Sequence, residues 1–342
     1  VGHCVRAMYL YSAVADLAAL TGDQGYINAL EALWQDVVRR KMYVTGGIGV
    51  QGHGEGFARP YFLPNYEAYC ETCAAIGMVF WNQRLLWLHG EGRFADIVER
   101  ELYNGMLSGV SLEGTRFFYV NPLASRGDHH RQTWYDCACC PTNVVRVFPV
   151  LGGYVYATSE DGKDLWVLQY AANRAQVQLG SEMVAVEQTT DYPWNGRVRI
   201  ELQPKSEREF ILYLRIPGWC EKASISVNGR GVEGLTPEDG FVRLRRKWTT
   251  GDVVELDMDM PVRRVQTDVA VEENRGRVAL QRGPIVYCFE EADHEVPVSR
   301  IVIPDEAEMT PHFEPGLLGG VVVLRGRGMA EVVRQAEDGA LT

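Results

Sequence analysis

Apolar residues recur at helical spacing through the first part of the chain and at strand spacing through the rest. Over roughly residues 1–20, Val5, Met8, Leu10, Val14, Leu17 and Leu20 return close to every 3.6 residues, with alanines between them. Thr21-Gly22-Asp23 interrupts this run and can cap the next helix. Ile27, Leu30, Leu33, Trp34, Val37 and Val38 repeat the pattern over roughly 25–42. A loop from Thr45 to Gly56 then carries glycines 46, 47, 49, 52, 54 and 56. Further helices are predicted at roughly 65–88, 93–108 and 142–157. Helical hairpins with long Gly-rich loops at one end suit an α/α barrel, and loops on such a rigid scaffold are where sites sit.

The pattern changes near Ser159-Glu160-Asp161-Gly162-Lys163. Val198, Ile200 and Leu202 alternate with polar residues, as do Phe210, Leu212, Leu214 and Ile216, and then Val254, Leu256, Met258 and Met260. Asn228-Gly229 is a hairpin signal. Short alternating strands between turns indicate a β-sandwich. A second β region with Val278, Leu280, Ile285 and Val286 around Gly283-Pro284 starts near 265, and the tail from about 304 is irregular and Gly-rich. The expected division is a helical domain over 1–158, a β-sandwich over 159–264 and a second β module with an irregular tail over 265–342.

The 342 residues can bury more than one core, and 46% hydrophobic with 23% charged is ordinary globular composition. A net charge of −11 argues against nucleic-acid and anionic-membrane partners, which need Lys/Arg patches. No apolar run approaches the ~18–20 residues of a membrane span. No leader pattern is visible. The first residues already read as the inside of a helix, so the chain is expected to be the C-terminal part of a longer product. Five of the eight cysteines lie between 70 and 140. A long chain with a normal hydrophobic share needs no disulfide staples, so reduced cysteines and a cytoplasmic location are expected.

Candidate chemistry gathers in two short stretches, Glu71-Thr72-Cys73 and Cys139-Cys140-Pro141. One carboxylate and three thiolates can complete a tetrahedral zinc shell. Within a helix, Glu71 and Cys73 would diverge; at a helix start they can converge, and Pro64-Asn65 suggests such a start upstream. Read alone, they are a surface acid and a core thiol. Adjacent cysteines rarely serve packing alone, and Pro141 should end a strand and open a helix at 142. Spacing leaves Cys70 and Cys137 as competing ligands, and a disulfide of Cys139 with Cys140 or with Cys73 as a further option. Glu55, between Gly54 and Gly56, can be a general acid/base or a solvated loop acid. His3 reads as a core histidine. Phe117 to Pro122 is either a core strand or an aromatic wall.

Together and in this order, these residues resemble the β-L-arabinofuranosidase family of glycoside hydrolases, which uses a zinc-bound cysteine as nucleophile. The matching text is Tyr43-Val44-Thr45-Gly46-Gly47-Ile48-Gly49, Gly54-Glu55, Leu63-Pro64-Asn65, Glu71-Thr72-Cys73-Ala74, Phe118-Tyr119-Val120-Asn121-Pro122-Leu123 and Cys139-Cys140-Pro141. Val1-Gly2-His3 and Arg6 to Tyr11 fit as well. The resemblance implies a partial (α/α)6 barrel followed by β-sandwich modules, since the pattern predicts only roughly five or six helices. It implies Zn2+ held by Glu71, Cys73, Cys139 and Cys140. It further implies Cys139 as nucleophile, Glu55 as acid/base, and His3 and Tyr119 as contacts to a carbohydrate substrate. A homodimer is compatible with it. Arg59-Pro60-Tyr61-Phe62 departs from the family by lacking an acidic residue near Phe62. Outside the resemblance stands a carbohydrate-binding or scaffold protein with a structural zinc site.

Overall fold

A computed structural model describes residues 2–52 and 54–330. Val1, His53 and the end of the predicted C-terminal tail lie outside the described residues. Five α-helices come first: α1 (Cys4–Thr21), α2 (Gln24–Arg40), α3 (Thr72–His89), α4 (Gly92–Arg100) and α5 (Cys139–Val147). The break between α1 and α2 follows its sequence signal. Gly22 caps α1 in the left-handed conformation, φ 65°, and the Asp23 side chain accepts from the Gly25 N–H at the start of α2.

Three helix boundaries differ from expectation. The segment 65–71 is not helical, and α3 starts at Thr72 with Glu71 as its N-cap residue. Pro64 and Asn65 belong instead to a loop, where Pro64 O accepts from the Tyr43 hydroxyl and Asn65 O from Leu123 N. The helix expected over 93–108 leaves α geometry at Glu101, passing through a π-helical turn (Glu101–Met106) and a 3-10 turn (Leu107–Gly109). Helix α5 begins at Cys139 rather than 142 and passes into a 3-10 turn (Phe148–Tyr154). Pro141 is tolerated in its first turn because the N–H groups there have no intrahelical acceptor.

Helix α3 is the hub, buried on nearly every side, with α1, α4 and α5 packed around it. The buried stripe of α1 is Cys4, Met8, Ser12, Ala15 and Ala18, while Leu10, Leu17 and Leu20 face outward. Small residues win that face because α1 and α3 approach closely. A Cβ on Gly77 would lie 2.7 Å from Met8 Cβ.

Ten strands form the next unit: β1 (Tyr156–Thr158), β2 (Leu165–Val167), β3 (Asn173–Leu179), β4 (Glu182–Thr190), β5 (Arg197–Gln203), β6 (Arg208–Arg215), β7 (Ala223–Val227), β8 (Arg230–Gly231), β9 (Phe241–Trp248) and β10 (Asp252–Met258). They make two sheets, ordered β1-β2-β6-β9 and β3-β4-β5-β10-β7-β8. Leu165, Leu212 and Leu244 from the first share one core with Val186, Ile200 and Leu256 from the second. That is the β-sandwich the alternation predicts. Strands β11 (Val262–Val265), β12 (Ala279–Arg282) and β13 (Ile285–Tyr287) form a separate antiparallel sheet. Two small ladders follow, β14 (Ile301–Val302) with β17 (Met329–Ala330), and β15 (Met309–Glu314) with β16 (Val321–Gly326). Among the described residues no helix is long and apolar enough to cross a membrane.

The sandwich is tied to the helices by Arg215, whose side chain is fully buried. Its guanidinium donates to Leu168 O (2.6 Å), Asp96 Oδ1 (2.7 Å) and Glu99 Oε1 (2.5 Å). Both acids lie on α4, so α4 is fixed against the sandwich and α3 against α4.

Candidate functional site

Two helix starts meet. The backbone turns at Glu71 (φ −59°, ψ 136°) into the first turn of α3, which brings its carboxylate and the Cys73 thiol to the same end. Cys139 and Cys140 open α5. Glu71, Cys73, Cys139 and Cys140 each offer one ligand atom, and those atoms all lie within 4.8 Å of one another. Glu71 Oε1 is 3.4 Å from the Cys139 sulfur and 3.7 Å from that of Cys140. The Cys73 and Cys140 sulfurs are 3.5 Å apart, those of Cys139 and Cys140 3.8 Å. These separations are far beyond a disulfide bond, and all eight cysteines are free. Cys70 and Cys137, open as ligands from spacing alone, are not in the group; Cys70 is buried in a neighbouring cluster and Cys137 is exposed.

The donor set fits a thiophilic divalent cation. Glu71 Oε2 is buried with no hydrogen-bond partner, and the Cys139 and Cys140 sulfurs lie against its other oxygen. Burial raises the Glu71 carboxyl and pushes the Cys139 thiol up to about 12. Contact with Cys73, then burial, raises Cys140 further. Cys73 alone is lowered, first by its bond with Cys140. The protein by itself thus stabilises little negative charge here, although the four groups are all acidic. A bound cation inverts that logic and deprotonates coordinating thiols outright.

Cys139 is the only one of the four that is not buried. Its sulfur lies 3.2 Å from the Tyr119 hydroxyl. Tyr119 rings against Tyr69 edge-on at 6.3 Å, and the Tyr69 hydroxyl donates to Glu55 Oε1 at 3.0 Å. Glu55 Oε2 meets His3 Nε2 at 2.6 Å. The five predicted chemistry-bearing positions and both predicted sugar contacts therefore form one continuous arc: His3, Glu55, Tyr69, Tyr119, Cys139 and the cluster behind it. Glu55 holds a left-handed backbone (φ 56°), a conformation that costs energy for a residue with a Cβ and recurs at functional sites. The loop is stitched to α1, with Cys4 N donating to Glu55 O (2.9 Å) and Phe57 N to Gly2 O (3.0 Å). His3 is the N-cap residue of α1 and is partly open, not a core histidine. Of the aromatic run, Phe117 is core and Tyr119 faces the cluster.

Sequence reasoning missed two contacts. Tyr69 clamps Glu55. Asn143 Nδ2 donates to the Cys73 sulfur at 2.9 Å. Asn143 stands one helical turn beyond Cys139 and Cys140, a spacing that places it on their face and was available as a signal. Nothing in the sequence singles out Tyr69 except its place two residues before Glu71.

Three family models match in chain order. The β-L-arabinofuranosidase GH127 catalytic domain covers residues 1–153, the GH127 middle domain 164–260 and the glycoside hydrolase family 127 C-terminal domain 262–326. A non-reducing end β-L-arabinofuranosidase of Bifidobacterium longum subsp. longum is 38% identical over 340 residues, covering 94% of this chain and 51% of that protein. Among solved structures, a GH127 β-arabinofuranosidase superposes with TM-score 0.94 at 43% identity, over 100% of this chain and 56% of that one. A GH127 β-L-arabinofuranosidase from Geobacillus stearothermophilus T6 gives 0.92 at 43% identity, over 98% and 56%. The chain spans about half the length of these relatives. With all three domain models matched in sequence and these structures superposing along nearly its whole length, the chain belongs to glycoside hydrolase family 127.

Proposed function

We propose that the chain carries the reactive centre of a retaining glycoside hydrolase that releases β-L-arabinofuranose, or a related furanose, from plant-type glycans, with Cys139 as nucleophile. The observation that carries this reading is the partial exposure of Cys139 in a four-ligand group whose other three members are buried. A purely structural metal site has no reason to leave one sulfur open, whereas a nucleophile needs that opening. The names of the similar enzymes supply the sugar.

Glu71, Cys73, Cys139 and Cys140 would hold Zn2+. When bound, the ion keeps the Cys139 sulfur ionised and makes it a better leaving group. Glu55 gives its proton to the departing glycosidic oxygen as the Cys139 sulfur attacks the anomeric carbon. A carbon–sulfur bond forms and the carbon–oxygen bond breaks. Glu55 then takes a proton from water, whose oxygen displaces the sulfur, so two inversions leave configuration retained. His3 and Tyr69 hold the two Glu55 oxygens, fixing its direction. Tyr119 steadies the Cys139 sulfur and contacts the sugar beside it.

The test is intact-mass analysis after incubation with an activated arabinofuranoside. The expected result is a pentosyl adduct on the peptide containing Cys139, absent in Cys139→Ser. A metal-loaded protein that turns over the glycoside with no adduct, or with one on a carboxylate, overturns the assignment. A loaded protein that binds sugar without turnover would instead be a carbohydrate-binding module.

A further inference from the structure

We propose that Arg146, Tyr9 and Asn143 form a one-way hydrogen-bond relay that fixes the Asn143 amide with its N–H on Cys73, holding the starts of α3 and α5 in register as one metal cage. The inference rests on the metal-centre reading above. It assigns a positioning role to three residues outside the four-ligand group.

The direction of the relay follows from donor and acceptor inventory. A guanidinium only donates, and Arg146 Nη2 lies 2.6 Å from the Tyr9 oxygen. That hydroxyl accepts from Arg146 and has one proton of its own to give. Asn143 Oδ1 is 3.0 Å away and takes it. The other end of the amide, Nδ2, then faces the Cys73 sulfur at 2.9 Å. A flipped amide would take this acceptor from the tyrosine proton and set a carbonyl oxygen against a thiolate. Amide orientation is decided by such networks, and here every member points the same way. Arg146 is itself held, its guanidinium 5.3 Å from the Tyr9 ring centre and 5.0 Å from that of Phe80.

The placement gives the relay its consequence. Asn143 is on α5, the helix that opens with Cys139 and Cys140; Cys73 is in the first turn of α3; Tyr9 is on α1. One amide therefore spans the two helix starts that supply all four ligands. It also makes the sulfurs unequal. Cys73 accepts a fixed amide N–H and is buried, while the half-buried Cys139 sulfur has the Tyr119 hydroxyl beside it at 3.2 Å. The relay thus selects Cys73 as a spectator ligand and leaves Cys139 free to react. Partners behind metal ligands typically tune affinity by about 10–100-fold.

The experiment uses the full chain with Asn143→Ala, Asn143→Asp and Tyr9→Phe, reading zinc affinity by chelator competition and the sulfur-to-cobalt charge-transfer band of the cobalt-loaded protein. Asn143→Ala should weaken zinc by about 10–100-fold and shift the band, with the metal-free protein still folded. Asn143→Asp should lose more, and Tyr9→Phe should shift both readouts the same way by less. Wild-type affinity and an unshifted band in Asn143→Ala overturn the relay. Should Asn143→Ala fail to fold, Tyr9→Phe decides, and unchanged values there overturn it equally. A wild-type chain with no sulfur-to-cobalt band overturns the metal reading itself, a result distinct from failure of the relay.

Discussion

Gly109→Ala tests the claim that α3 must start in one place for the site to exist. Gly109 ends the 3-10 turn after the π-helical segment and touches no ligand atom. A Cβ added there would lie 2.5 Å from Thr72 Oγ1, 2.6 Å from Thr72 Cγ2 and 3.1 Å from Thr72 Cβ. Ordinary contact begins at 3.4 Å, so relief of about 0.9 Å is required. Thr72 cannot swing away cheaply. Its N–H donates to Tyr119 O (3.0 Å), its hydroxyl donates to Phe118 O (2.8 Å) and accepts from Asn121 Nδ2 (3.1 Å). It also sits between Glu71 and Cys73, so any shift of its backbone moves two ligands together. Overpacking of this kind costs about 1–3 kcal/mol, or roughly 2–12 °C in melting temperature for a domain of this size. A displacement near 1 Å at a reacting centre costs about 100-fold in kcat/KM. The assay is thermal unfolding with and without zinc, chelator-competed zinc affinity, and glycosidase rate. Thr72→Ala should remove most of the clash, so the double variant should be less damaged than the two single losses added, by ~0.5–3 kcal/mol. Wild-type stability and zinc affinity in Gly109→Ala would refute the reasoning, as would strict additivity of the pair.

Other expectations can be checked on the same material. Glu55→Gln should spare the first step for substrates with good leaving groups and slow it for poor ones; equal losses on both, in burst kinetics, would remove Glu55 as the acid. Arg215→Met leaves Glu99 buried without its cation and should cost about 3–5 kcal/mol by denaturant unfolding, although Glu99 keeps bonds from Tyr192 and Trp219. The buried Glu101 has both carboxyl oxygens unpartnered, and burial raises it well above the usual 4.5. The unfolded chain loses that proton near 4.5 while the folded chain keeps it, so stability falls as pH rises above 4.5, by up to about 1.4 kcal/mol per pH unit. Glu101→Gln should flatten that slope in melts at pH 4.5–7, and an unaltered slope would show that Glu101 is ionised in the fold.

Some features are legible in the sequence because local pattern alone specifies them. Gly22 and Asp23 end one helix and start the next, the alternation from Val198 to Met260 gives the sandwich, and the twin cysteines point to a ligand pair. Boundaries were harder where tertiary contacts override local pattern. Helix α3 starts at Thr72 because Tyr119 O and Phe118 O hold that residue, partners 46 or more positions away. The apolar periodicity of α1 marks the outward leucines as strongly as the buried face, and close packing on Gly77 selects the small residues instead. In the sequence, motif order alone carries the resemblance to a glycosidase family. The geometry adds what order lacks: which thiols join Glu71, how Tyr69 holds Glu55, and that Asn143 reaches Cys73.

X-ray absorption at the zinc edge of the purified chain tests the central claim most directly. Three sulfurs at ~2.3 Å and one oxygen at ~2.0–2.2 Å are expected, falling to two sulfurs in Cys139→Ser. A shell of nitrogen and oxygen alone, or a sulfur count unmoved by that substitution, would contradict the account.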